Sequence, residues 1–361
     1  MFKSTLISAL SAAVALLVIV AGCGGQDPAT IPHILLEEVA RSDRQWTGVT
    51  VDTNGRIFVC YPRWSPNLTF SVGELVNSDS VRPYPGIELN TWDSTFNPSE
   101  RFVCVQSVWV DAENHLWVLD PANPYFAGVV PGGPKLVRID LASDSVIQVI
   151  RFDSTIAPSN SYLNDVRIDT NRKVAYITDS GAGALIVVDL LTGRSQRLLD
   201  DNPATSAEEI EIRIDDEVWR RPDGSIPEVH ADGIALDTAR QLLYWHVLTG
   251  RHLYRIGTQW LLDDSLARDL IDSQIEIVAS TEPVDGILCA PDGSIYLSSL
   301  QDHAVKRFVP GEGVKTVVQS HELRWPDSFA RDDSGWVYVT TSQIHLMPDP
   351  GQPFKLFRFR R

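Results

Sequence analysis

Six polar residues stand at equivalent places along this chain: Thr47, Gln106, Asn164, Asp232, Asp285 and Asp327. Each opens a short phrase that continues as an alternating apolar strand, so each sits where a strand begins. Three of them are carboxylates. Brought together in a partly dehydrated place they would repel, and something must offset them: a proton, a metal cation or a cationic ligand. The oxygens of Asn164, Asp232, Asp285 and Asp327 would suit a hard divalent ion, calcium or magnesium. The competing reading is conformational, with Asp-Gly and Asn-Asp turning the chain into each strand. Tyr162, His230 and Trp325 lie just before such strands, and His246 lies at the end of a following one. Together these suggest a small-molecule site. The ligand contacts would be Thr47, Gln106, Tyr162, Asn164, Asp232, Asp285, Trp325 and Asp327. Asp232, His230 and His246 are the candidates for proton transfer.

The elements that would position these residues repeat. The phrase runs polar residue, alternating strand, Asp- or Gly-bearing turn, second strand, as in Gln106-Ser-Val-Trp-Val-Asp111 followed by His115-Leu-Trp-Val-Leu119. It occurs six times, and further hairpins such as Lys135–Leu141 with Val146–Ile150 fill the gaps. Four strands per unit and six units predict an all-β, six-bladed propeller over residues 33–361. The head of each phrase would then face one mouth of the central channel. Only one strand, Phe354–Phe359, follows the last phrase, so a strand at about residues 34–39 is expected to complete the final blade and remove its open edge. An insertion at 201–229 between the third and fourth blades is rich in acid and predicts a solvated lid or loop on the same side.

The first residues read as an address. Lys3 precedes an apolar run, and Val20-Ala21-Gly22-Cys23 resembles the lipobox of bacterial lipoproteins. On that reading residues 1–22 are a signal peptide, Cys23 is lipidated, and 23–32 tether the propeller to a membrane outside the cytoplasm, with the outer membrane favoured. The chain carries 31 Lys plus Arg against 47 Asp plus Glu, a formal charge of -16 that speaks against nucleic acid as a partner. Four cysteines make no disulfide scaffold, although Cys60 and Cys104 sit where they could pair. No nucleophile elbow, HExxH or P-loop is present. A monomer with a small-molecule ligand is the expectation.

Several phrases together are specific. Ser161-Tyr-Leu-Asn-Asp-Val-Arg-Ile-Asp169, Ala175-Tyr-Ile-Thr-Asp-Ser-Gly181, Ala231-Asp-Gly-Ile-Ala-Leu236 and Trp325-Pro-Asp-Ser-Phe329 resemble the major royal jelly protein/Yellow family. The resemblance runs from about Trp46 to Phe359. It implies a secreted six-bladed propeller, with pigment chemistry such as dopachrome conversion and binding of biogenic amines among family members. A more distant likeness is to gluconolactonase/regucalcin propellers, which hold a divalent metal through Glu, Asn and Asp. Asn164 and Asp232 match the last two positions, whereas Thr47 stands at the Glu position. Four functions follow as alternatives. They are binding of an amine, catechol-derived molecule or sugar lactone; metal-dependent lactone hydrolysis; dopachrome-type tautomerisation through His230 or His246; and non-catalytic partner docking.

Overall fold

The computed structural model describes residues 34–66, 68–221 and 223–360. Residues 1–33, and with them the signal peptide, Cys23 and the tether, lie outside that range. Six four-stranded antiparallel sheets form in sequence order, each innermost strand followed outward by its neighbours. The inner strands are Val49–Val51, Ser107–Val110, Leu163–Asp169, Ala231–Asp237, Val284–Cys289 and Pro326–Arg331. They contact one another in succession, and the sixth contacts the first, which closes the ring. The six-bladed propeller is therefore as expected. Apolar side chains between adjacent blades make the core, for instance Leu119, Leu136, Val166 and Ile177 between the second and third.

The acidic residue that ends most of the phrases turns the chain. Asp52, Asp111, Asp169, Asp237 and Asp332 accept backbone N–H groups two to four residues ahead, at the end of the ring away from the phrase heads.

The closing strand is Glu37–Ser42, three residues later than the expected 34–39. It lies on the outer edge of the last blade, paired with Phe354–Phe359. The apolar run Ile34-Leu-Leu36 suggested the earlier start, but Ile34 and Leu36 pack against the core instead. Charge sets the register: Arg358 pairs with Glu37 at 2.9 Å and Lys355 with Glu38 at 3.4 Å. Among the described residues no helix is long and apolar enough to cross a membrane.

Candidate functional site

Blades three to six share a feature that the phrases alone do not reveal. In each, the register of the inner strand slips between its first residue and the fourth, between Leu163 and Val166, Ala231 and Ile234, Val284 and Ile287, and Pro326 and Phe329. A bulge of this kind re-aims side chains, and the bulged residues are Asn164, Asp232, Asp285 and Asp327. A hydroxyl on the neighbouring strand braces several of them: the Asp165 and Ser328 amides donate to Thr178 and Thr340, and the Asp285 amide to Ser298. Glycine follows Asp232 and Asp285 because the next blade comes too close for anything larger. A Cβ on Gly233 would stand 2.1 Å from the Asp285 carbonyl oxygen, and one on Gly286 2.2 Å from that of Asp327.

The bulges bring Asn164, Asp232 and Asp285 together. Asn164 hydrogen-bonds to Asp232, and Asp232 to Asp285. Asp327 accepts the Ser328 hydroxyl at 3.1 Å. All three carboxyls are buried. Loss of solvent pushes each well above the usual carboxylate range, and its neighbours add to this: Asp327 acts on Asp232, Asp232 on Asp285, and Asp285 on Asp327. A carboxyl–carboxyl hydrogen bond requires a proton on one partner, so Asp232 and Asp285 behave as a pair. Among the described residues no cationic side chain pairs with any of the three.

Trp325 lies directly against the pair. Its indole Nε1 donates to Asp285 Oδ2 at 2.6 Å, although the residue is fully buried. Its backbone has φ +56°, an unfavourable value for so bulky a residue. Trp219 meets its ring edge-on at 4.7 Å, and His345 stacks on it at 5.8 Å. A second aromatic group stands on the side of blades one to three. Trp64, Phe126 and Tyr162 stack in turn, and Trp64 Nε1 donates to the Tyr162 hydroxyl, which donates to Gln106 Oε1 at 3.0 Å. Asp179 fixes Tyr162 by accepting its backbone N–H at 2.8 Å, while Arg197 holds the same carboxylate.

The other candidates are placed differently. Thr47 is fully buried and spends its hydroxyl on the Gln106 carbonyl at 3.2 Å and on Cys60, so it offers no ligand atom to the channel. His230 is half-buried, and its Nδ1 accepts the Ala207 N–H beside Gly183. Burial lowers its pKa, partly offset by Asp179 and Glu228, and none of its hydrogen bonds reaches the aspartates. His246 is wholly buried against Thr281 at 2.7 Å, and burial pulls it down to about 4. Asp120 is likewise a structural residue, locked to the buried Lys135 at 2.8 Å. Cys60 and Cys104 are free thiols that burial pushes up to about 12.

One functional-looking residue escaped the sequence reading. Arg167 is buried in the third inner strand, bonded to Asp165 at 2.7 Å and to the Ile287 carbonyl of the fifth at 3.0 Å. Its guanidinium lies 4.3 Å from the Trp109 ring centre. An arginine between Val166 and Ile168 of an inner strand was the available signal. It answers the charge of Asp165 within the protein.

The insertion exposes most of its acidic residues, but its apolar residues pack inward. It carries a hairpin, Arg213–Ile214 with Glu217–Val218, whose Ile212 and Ile214 are buried with Leu248, Leu300 and Trp325. Two of its acids face histidines, Glu208 with His252 at 2.8 Å and Asp215 with His303 at 2.8 Å.

The family model for major royal jelly proteins matches residues 103–360. The chain belongs to that family. Dopaminechrome tautomerase of Drosophila melanogaster is 26% identical to this royal jelly family member over 166 residues, 41% of this chain but 34% of that protein, so about a third of the relative is covered. A luciferin-regenerating enzyme superposes with a TM-score of 0.56 at 11% identity, covering 91% of this chain and 95% of that one. A gluconolactonase of Xanthomonas campestris does so with a TM-score of 0.53 at 13% identity, covering 91% and 90%. At those identities the two structures share the propeller fold with this royal jelly family chain.

Proposed function

We propose that the channel mouth binds a small, ring-bearing cationic molecule of the amine or catechol-derived class. Asp232 and Asp285 would be its counter-charge and Trp325 and Tyr162 its aromatic walls. The observation that carries the reading is a buried carboxyl pair with no cation of its own, lying against an indole. A cationic ligand relieves the repulsion and gains from aromatic faces as well. The same pair, sharing a proton, is suited to take a proton from one ring position and return it to another. The named activity of the fly relative, dopaminechrome tautomerisation, agrees with a substrate of that kind.

The test is calorimetric titration with dopamine, tyramine and neutral catechol. Dopamine and tyramine should bind and catechol should not, and Asp232→Asn or Asp285→Asn should each weaken the amines at least ~10-fold. Affinity unchanged from the parent chain in both variants would move the ligand elsewhere. Tautomerisation of an aminochrome, followed by absorbance, should fall ~100-fold or more in Asp232→Asn if the pair transfers the proton.

Metal-dependent lactone hydrolysis is the second reading, favoured by the convergence of Asn164, Asp232 and Asp285, which would hold calcium or magnesium and leave the ion to polarise a carbonyl. Two observations weigh against it. Thr47 supplies no oxygen, and the Trp325 N–H donor occupies an oxygen of Asp285 that an ion would need. Lactonase activity abolished by chelator and restored by either ion would overturn the amine reading.

Lipidation at Cys23 and residence in the cell envelope rest on the lipobox alone, and a diacylglyceryl mass increment on Cys23 of the mature chain is the check.

A further inference from the structure

The lid hairpin ends in the two-residue turn Asp215-Asp216, both at positive φ (51° and 67°), as a tight hairpin turn requires. That turn delivers Asp215 to two histidines from other parts of the ring. His303 follows the second strand of blade five, and His321 lies between blades five and six. One donor atom from each of Asp215, His303 and His321 lies within 4.8 Å of the others. We propose that these three residues bind a divalent transition-metal ion, zinc by preference, and that the ion fastens the lid to blades five and six.

Four observations support the site. His303 is buried and its Nδ1 faces the Leu323 carbonyl at 3.2 Å, which leaves Nε2 as the ligating nitrogen. A backbone acceptor behind one imidazole nitrogen is the usual support for a metal on the other. The Nε2 in turn faces Asp215 Oδ1 at 2.8 Å. A ring with an oxygen acceptor beyond each nitrogen is either doubly protonated or carries a metal in place of one proton. Two imidazoles and one carboxylate match zinc and its neighbours, and they disfavour calcium or magnesium, which take oxygen. Nearby, both ring nitrogens of His345 are buried without a hydrogen-bond partner, close enough to feel the charges of His303 and Asp215.

The second cluster of this composition, Asp111, Glu113 and His115 at the other end of the ring, has no such readiness. Asp111 is spent on the Glu113 and His115 amides and the Trp117 indole, and Glu113 on Arg138 and Lys173.

The purified full chain, stripped with chelator, should take up one zinc ion by calorimetry, and cobalt should give the absorption of a low-coordinate site. Asp215 and His321 are exposed, so Asp215→Asn and His321→Ala should fold normally while each lowers zinc affinity ~10-fold or more. His115→Ala should leave affinity unchanged. Zinc should also slow amide exchange across residues 212–219. A stripped chain that takes up no zinc, or uptake that survives both Asp215→Asn and His321→Ala, would overturn the site. These readouts involve no amine, so their failure and that of the channel reading are separate results.

Discussion

The aspartates at the channel mouth are held in a state that costs the fold something. Asp232 faces Asp285, Asp327, Asp165 and Asn164, and Arg167 is committed to Asp165. In the folded chain the three buried carboxyls hold protons above the usual carboxylate range, so the native state binds more protons than the unfolded one. Their stabilising contribution is complete below the ordinary carboxylate pKa and disappears as pH rises through the raised folded values. Thermal unfolding across that window should show stability falling with increasing pH. Asp285→Asn should flatten the fall, because an amide oxygen still accepts from Trp325 while its NH2 can donate to Asp232. At neutral pH that variant should gain about 1 kcal/mol of stability while losing amine affinity, the trade expected of a site kept strained for binding. A neutral-pH loss of stability instead would mean the repulsion is already answered. The identities of Asn164, Asp232 and Asp285 were legible in the phrases, since a polar residue heading an apolar strand stands out. That Thr47 turns away was not, because it depends on a contact with the next blade.

At the scale of elements, the bulged inner strands place the aspartates and the insertion packs against Trp325. The Asp-Gly pairs could be read as turn signals, but the glycines serve close packing: blade five runs so near Gly233, and blade six so near Gly286, that no Cβ fits. Gly286→Ala should cost roughly 3 kcal/mol or more, read as a drop in melting temperature. Gly311→Ala, at φ +79° with open space around it, should cost only about 1 kcal/mol. Comparable losses would remove the packing argument. Counting charge made the insertion look solvated, yet it also holds Ile210-Glu-Ile-Arg-Ile214, an alternation whose isoleucines the fold buries at Ile212 and Ile214. The partners of that stripe, Leu248, Leu300 and Trp325, come from three separate stretches of chain, which no local pattern announces. Ile212→Ser with Ile214→Ser should loosen the lid, speeding proteolysis within residues 206–229 and amine association without lowering the melting of the ring. Unchanged cleavage would show that the lid is held by Trp219 and Asp215 alone.

The whole molecule is a closed ring made from an open chain, so its integrity rests on the one junction where the two ends of the propeller meet. Glu37–Ser42 completes the last blade from outside, with Glu37 opposite Arg358 and Ser42 opposite Phe354. Without it Phe354–Phe359 would be an exposed edge, alternating and apolar, on a ring whose other outer edges are native. Ala40 is the lever: it is buried within the closing strand, opposite Leu356, beside the register shift that follows Glu38. Ala40→Asp would set an unpaired carboxylate in that interior, which the strand can avoid only by leaving the sheet. Melting temperature should fall by many degrees, light scattering should report association through the freed edge, and amide exchange should become fastest at residues 354–359. Protection there that stays equal to that of the third inner strand, Leu163–Asp169, would mean that the ring closes without its N-terminal strand.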